Sequence, residues 1–232
     1  MKKFLLVVFL LGAFYTAKAQ NVQMHYDFGE DRQMITTTVE MFKPDKYGST
    51  FFFIDFDYGG KSANVDGVSL AYFEFARDLK FWDSPFTIHA EYNGGMFRSN
   101  EFAAPINNAY LFGGAYTFSS EDFSKILTLQ AMYKYIQDKN DAAFQFTAIW
   151  NLDFIDGKIS VNGFADFWRE DNVVFDEEGN PSETDFVFLT EPQVWYNFSN
   201  HFSAGSEIEI SSNFGGNKGF MVNPTLAVKW NF

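Results

Sequence analysis

The 232-residue sequence has no cysteine, three histidines, six prolines and, beyond its first dozen residues, no long apolar run. Without cysteine there is no disulfide framework, no thiolate metal site and no lipoprotein-type export. Three scattered histidines make no transition-metal motif. Basic residues are scarce as well: 17 Lys and Arg stand against 30 Asp and Glu, a formal charge of −13. That balance argues against nucleic acid as a partner, which a basic surface would have to hold. No later segment approaches the roughly 20 consecutive apolar residues that a spanning helix needs, so helical membrane spans are excluded.

What is present is aromatic. Phe, Trp and Tyr make up 20% of the chain, with 31 Phe, yet the mean hydropathy is only −0.18. At the N-terminus, Lys2 and Lys3 precede an apolar run from Phe4 to Gly12, and Ala17-Lys18-Ala19 before Gln20 fits a small-x-small cleavage site. Residues 1–19 therefore read as a secretory signal, the run being too short for a membrane anchor. Its removal takes away Lys2, Lys3 and Lys18 and no acid, moving the formal charge from −13 to −16. An exported, aromatic-rich chain without spanning helices can still cross a bilayer as a closed β-barrel, because alternating faces average to a modest hydropathy.

The expected period of two is there. Backwards from the C-terminus, Phe232, Trp230, Val228, Leu226, Pro224, Val222 and Phe220 share one face, as a strand with one apolar side requires. Similar segments recur from "VQMHYDF" and "MITTTVEMF" through "STFFFIDFDYG", "KILTLQAMYKYI" and "HFSAGSEIEIS". They make about twelve strands, the even number of a bacterial barrel. The predicted fold is all-β, an up-and-down transmembrane antiparallel barrel over residues 20–232, in the outer membrane of a Gram-negative bacterium. With both termini periplasmic, the longest connections, "GMFRSNEFAAPIN" and "REDNVVFDEEGNPSE", fall outside. Pro192 and Pro224 lie inside strands and are expected as bulges near the outer rim. The terminal Phe232 is expected to face lipid and to be read by the outer-membrane assembly machinery.

The hairpin "TTTVEMFKPDKYGSTFFFIDFDY", the strand "NGFADFWRED" and the ending "KWNF" resemble the nucleoside-specific channel-forming outer-membrane proteins, the Tsx-like family. The resemblance implies a monomeric barrel with a narrow pore of aromatic and polar side chains that passes nucleosides. The chain is shorter than that pattern, with trimmed loops, and the family's nucleoside contacts do not map onto it position by position.

If the apolar faces meet lipid, the lumen receives Glu40, Asp55, Asp57, Glu74, Glu91, Asp153, Asp166, Glu191, Glu207 and Glu209 against His89, Lys134 and Lys229. Rings of carboxylates favour cations, although acids also serve simply to hydrate a lumen. The same parity turns Phe51, Phe53, Tyr72, Phe164, Trp168 and Trp195 inward. Such rings either stack on a flat solute beside hydrogen-bonding carboxylates or fill the barrel as an internal core. The candidate ligand-binding set is Phe51, Phe53, Asp55, Asp57, Tyr72, Glu74, Phe164, Asp166, Trp168, Glu191, Trp195 and Glu207.

No catalytic residue, metal site or cofactor is expected. Acids two apart on a strand, about 6.6 Å along it, have glycosidase-like spacing, but any polar strand face yields them. No G-x-S-x-G elbow supports a barrel hydrolase. The stretch "DEEGNPSETD" lacks the order of a calcium loop and reads as a solvated connection. The expected function is passive passage of small polar solutes, nucleosides among them. The alternatives are a structural or adhesive barrel without transport, a barrel hydrolase, and an exported β-sandwich or jelly roll with a dry aromatic core.

Overall fold

The last strand shows why these segments extend. Along it Leu226 is 64% exposed while its neighbours Thr225 and Ala227 are 9% and 3% exposed, so the apolar side chain points out and the small or polar ones point in. That is the inverse of a soluble sheet, and lipid makes it stable. The computed structural model describes residues 20–30, 32–61, 63–139 and 143–232; the signal reading of residues 1–19 lies outside them.

The strands are β1 (Gln20–Asp27), β2 (Ile35–Asp45), β3 (Gly48–Tyr58), β4 (Val68–Leu79), β5 (Phe86–Arg98), β6 (Ala103–Ser119), β7 (Lys125–Ile136), β8 (Ala143–Phe154), β9 (Ile159–Phe175), β10 (Pro181–Thr190), β11 (Gln193–Asn197), β12 (Phe202–Ser212) and β13 (Phe220–Asn231). Sequence neighbours pair antiparallel around the wall, and β1 closes on β13 from Asn21 opposite Asn231 to Asp27 opposite Thr225. The barrel has no free edge, so every wall strand finds backbone partners on both sides. Both β10 and β11 run between β9 and β12. They are two halves of one wall strand, which makes the barrel twelve-stranded.

The halves separate at Glu191-Pro192. The expected bulge is not found there: Thr190 pairs with Ala165 and Gln193 with Asn162, so the register is unbroken. The Pro192 carbonyl accepts a bond from the Ile208 amide at 3.1 Å. The reciprocal bond is the one that proline cannot donate. Opposite the break, Gly163 has φ +151°, and a Cβ there would stand 2.4 Å from the Glu191 carbonyl oxygen, so only glycine allows the strands to approach this closely. Pro192 also lies well within the wall, since β10 continues for ten residues beyond it. Pro224 behaves differently. It keeps register with β12, and its carbonyl accepts from Phe28, one residue past the end of β1. Its missing amide is therefore on the side of Phe28, just beyond the last paired residue of β1.

A second correction concerns the two long connections. Most of "GMFRSNEFAAPIN" and "REDNVVFDEEGNPSE" is strand, leaving turns at 99–102 and 176–180. The β5–β6 and β9–β10 hairpins run on past the rim, each through one register shift, at Asn93/Gly95 and at Thr184/Phe186. At the opposite end, which carries Gln20 and Asn231, the connections are short. The hairpin expected around Asp156-Gly157 is present as the β8–β9 turn.

Candidate channel lumen

Inward positions follow from pairing. Asn21, Gln23, His25 and Asp27 on β1 stand opposite Asn231, Lys229, Ala227 and Thr225 on β13, and Gln23 and His25 stand opposite Thr38 and Thr36 on β2. From there Thr36 pairs with Asp57, Thr38 with Asp55, and Glu40 with Phe53. The threonine hydroxyls donate to these carboxylates, at 2.6 Å to Asp57 and 2.5 Å to Asp55, which orients both acids toward the axis. The same parity carries Tyr72 and Glu74 on β4, Phe164, Asp166 and Trp168 on β9, Glu191, Trp195 on β11 and Glu207 on β12 to the inside. All twelve candidate positions are inward.

They fall into distinct groups. Asp55 on β3 is within electrostatic reach of Glu191 and Glu207, with Glu209 beside them, although three strands separate β3 from β12. Glu74 on β4 is within reach of Glu91 on β5 and of Asp166 on β9, across the lumen, with Lys134 among them. Opposing walls are thus close enough for their charges to interact. Phe51, Phe53 and Tyr72 form a ladder with centroids 5.9 and 5.7 Å apart. The Tyr72 hydroxyl lies 3.5 Å from Glu74.

The two tryptophans are enclosed. Trp195 is 0% exposed: its Nε1 donates to Gln193 at 2.9 Å, His25 meets it edge-on at 5.9 Å, and the Lys229 ammonium sits 4.0 Å from its centroid. The ring also lies over Gly205, where a Cβ would come within 2.7 Å of its Cε3. Trp168 donates from Nε1 to Glu170 at 2.9 Å and receives Lys134 on its face at 4.3 Å. It packs with Val187 and Leu189, against partly buried Phe164 and against Phe214 from the β12–β13 loop. A second apolar group, Ala109, Leu111, Met132 and Ile136, lines β6 and β7 inside. Part of the interior is therefore filled by packed apolar side chains, the arrangement that the internal-core reading of the inward aromatics describes.

Several inward residues escaped the sequence reading. Asp27 binds the Gly29 amide at 2.6 Å, and Arg32 from the β1–β2 connection reaches Asp27 at 3.3 Å and Glu209 at 2.6 Å. Asp78, likewise missed, is bridged to Glu91 by His89, both of them expected inside, each contact at 3.0 Å. Alternation alone would have found Asp27, Asp78 and Glu170. Nothing local announces Arg32, whose partner on β12 is 177 residues away.

The terminal end of the lumen opens into a cavity of about 370 Å³, bordered by β2, β8, β9, β11 and β13 and lined by polar side chains that include Glu40, Asn151, Asp153 and Lys229. Among the described residues no cluster of His, Asp and Glu has the grouping of a metal site.

Solved structures with the same fold are outer-membrane porins. The NanC porin in a rhombohedral crystal form superposes with a TM-score of 0.59 at 9% identity, over 92% of this chain and 100% of that one. The KdgM porin gives 0.52 at 10% identity over 92% and 99%, and the KdgM porin in complex with disordered oligogalacturonate gives 0.51 at 10% over the same shares. At such identities the likeness is one of fold. No curated protein sequence matches the chain. The model of the family described as "Domain of unknown function (DUF5020)" matches residues 19–232, and the chain belongs to that family.

Proposed function

We propose that the protein is a passive channel for small polar solutes in the outer membrane of a Gram-negative bacterium, reached by export on a signal at residues 1–19. The observation that carries this reading is the set of inward carboxylates inside a closed barrel of porin fold, with Asp55 in reach of Glu191 and Glu207, and Glu74 in reach of Asp166, across the lumen. Such a lining attracts cations and repels anions. It opposes an acidic oligomer such as the oligogalacturonate bound to the KdgM porin. Nucleosides, the solute of the Tsx-like family, are supported by the Phe51, Phe53 and Tyr72 ladder beside Asp55 and Glu74, where a base can stack at about 1–3 kcal/mol per ring. Both tryptophans are already covered, so the stacking role falls on this ladder.

The test is planar-bilayer conductance in a potassium chloride gradient, with and without a nucleoside. A reversal potential of cation-selective sign and a current altered by the nucleoside are expected. Anion selectivity would overturn the lumen assignment. A structural barrel without transport is the second reading, favoured by the apolar groups around Trp168 and Leu111, and absence of any conductance would select it.

A further inference from the structure

The cavity at the terminal end differs in chemistry from the rest of the lumen. No aromatic ring lines it; amides, hydroxyls and charged groups do. Much of this lining is fixed from behind. Asn162 donates to Gln193 at 3.0 Å, Asn197 donates to the Gly157 carbonyl at 2.7 Å and to Ser160 at 2.9 Å, and Ser160 donates to Asp153 at 2.7 Å. Glu40 accepts from Asn21 at 3.0 Å through one oxygen. The second oxygens of Glu40 and Asp153 remain, together with the Asn151 amide and the Lys229 ammonium. Lys229 rests on the Trp195 face and makes no ion pair among the described residues.

We propose that this cavity is a binding site for an uncharged, hydroxyl-rich solute the size of a monosaccharide. A sugar hydroxyl both donates and accepts. The cavity offers carboxylate acceptors, an ammonium donor and an amide with both functions, and its two acids and one lysine leave no surplus positive charge for an anion. Its volume, about 370 Å³, lies at the lower end of small-molecule sites of about 300–1,000 Å³. A nucleobase finds no stacking face here. As a transit station the site rests on the channel reading, but binding itself does not. The sugar could arrive free or as the ribose of a nucleoside.

The experiment is isothermal titration of the full-length barrel in detergent micelles with D-glucose, D-ribose, adenosine and adenine, alongside bilayer currents. Saturable millimolar binding of the sugars and adenosine is expected, whereas adenine, whose stacking face is the Phe51, Phe53 and Tyr72 ladder, should give a signal that Asn151→Ala leaves unchanged. Asn151→Ala and Lys229→Met should each weaken sugar binding by about tenfold, equivalent to about 1.4 kcal/mol, while heat-modifiable mobility on gels stays unchanged. Adenosine without free sugars, weakened by Asn151→Ala, would assign the site to ribose within a nucleoside. Sugar or adenosine binding that neither substitution weakens, or no binding of either sugar or of adenosine, would overturn the proposal. Should Lys229→Met fail to fold, Asn151→Ala decides alone, because Asn151 makes no side-chain hydrogen bond among the described residues. Sugar binding without conductance would sink the channel reading and spare the site; conductance without sugar binding would do the reverse.

Discussion

Ile54 and Asp55 are adjacent on β3, and one residue of offset puts them in different solvents. Ile54 pairs with Val39 and Phe73 on the outer face, whereas Asp55 accepts from Thr38 on the inner one. Ile54→Arg is expected to lower stability by about 2–4 kcal/mol if it lies near the bilayer midplane, measured by urea unfolding in lipid vesicles. Asp55→Asn should leave that stability nearly unchanged, because the amide oxygen still accepts from Thr38, and should reduce the cation preference in bilayer recordings. Equal destabilisation at both positions would contradict the assignment of faces. This contrast was legible in the sequence, because a period of two needs only neighbours. The enclosure of Trp195 was not: it depends on Gly205 and Lys229 from β12 and β13, which alternation cannot bring to one ring.

At the scale of the element, the sequence identified the wall strands, including both halves of the one broken at Pro192. It misread the rims, where polar residues such as Arg169 and Asn172 stay in the ladder of β9 although they look like loop. The β12–β13 connection also folds inward, and Phe214 meets Trp168 edge-on at 6.1 Å. Phe214→Ala is expected to raise single-channel conductance without a change in gel mobility; unaltered conductance would mean that this contact does not bound the pore. The β6–β7 turn provides a pH test. Asp122 accepts from the Ser120 hydroxyl at 2.6 Å and from the Ser124 amide at 3.1 Å, and these bonds hold its carboxyl down at about 2. Because the folded value lies below the unfolded one, the turn is stabilised above about pH 4 and loses that contribution as the pH falls toward 2. Amide exchange at Ser124, corrected for its intrinsic pH dependence, should speed up over that window in wild type and not in Asp122→Ala.

For the whole molecule, charge and closure set the behaviour. The lumen's acids are opposed by Lys134 and Lys229, each covering an indole, and by Arg32, which is held by Asp27 and Glu209. The preference for potassium over chloride should therefore be marked at 0.1 M salt, where the Debye length is about 10 Å, and fade toward 1 M, where it is about 3 Å. Reversal potentials across that range check it. Phe232 is 45% exposed, and its amide donates to the Gln20 carbonyl at 3.1 Å. We infer that the assembly machinery reads it. Its deletion should lower the amount of heat-modifiable barrel in outer membranes while signal removal proceeds as before.

The seam between β1 and β13 also dictates an order of events. Most other seams of the wall join strands that follow each other along the chain, but this one couples Asn21 to Asn231. Closing so long a loop costs more chain entropy than any hairpin, and it is the slowest kind of contact to find. Until it forms, two strand edges present bare amides and carbonyls to hydrocarbon at several kcal/mol per group. A half-zipped wall is therefore not a resting state inside a bilayer: the hairpins can gather one by one at its surface, but insertion and closure have to finish together.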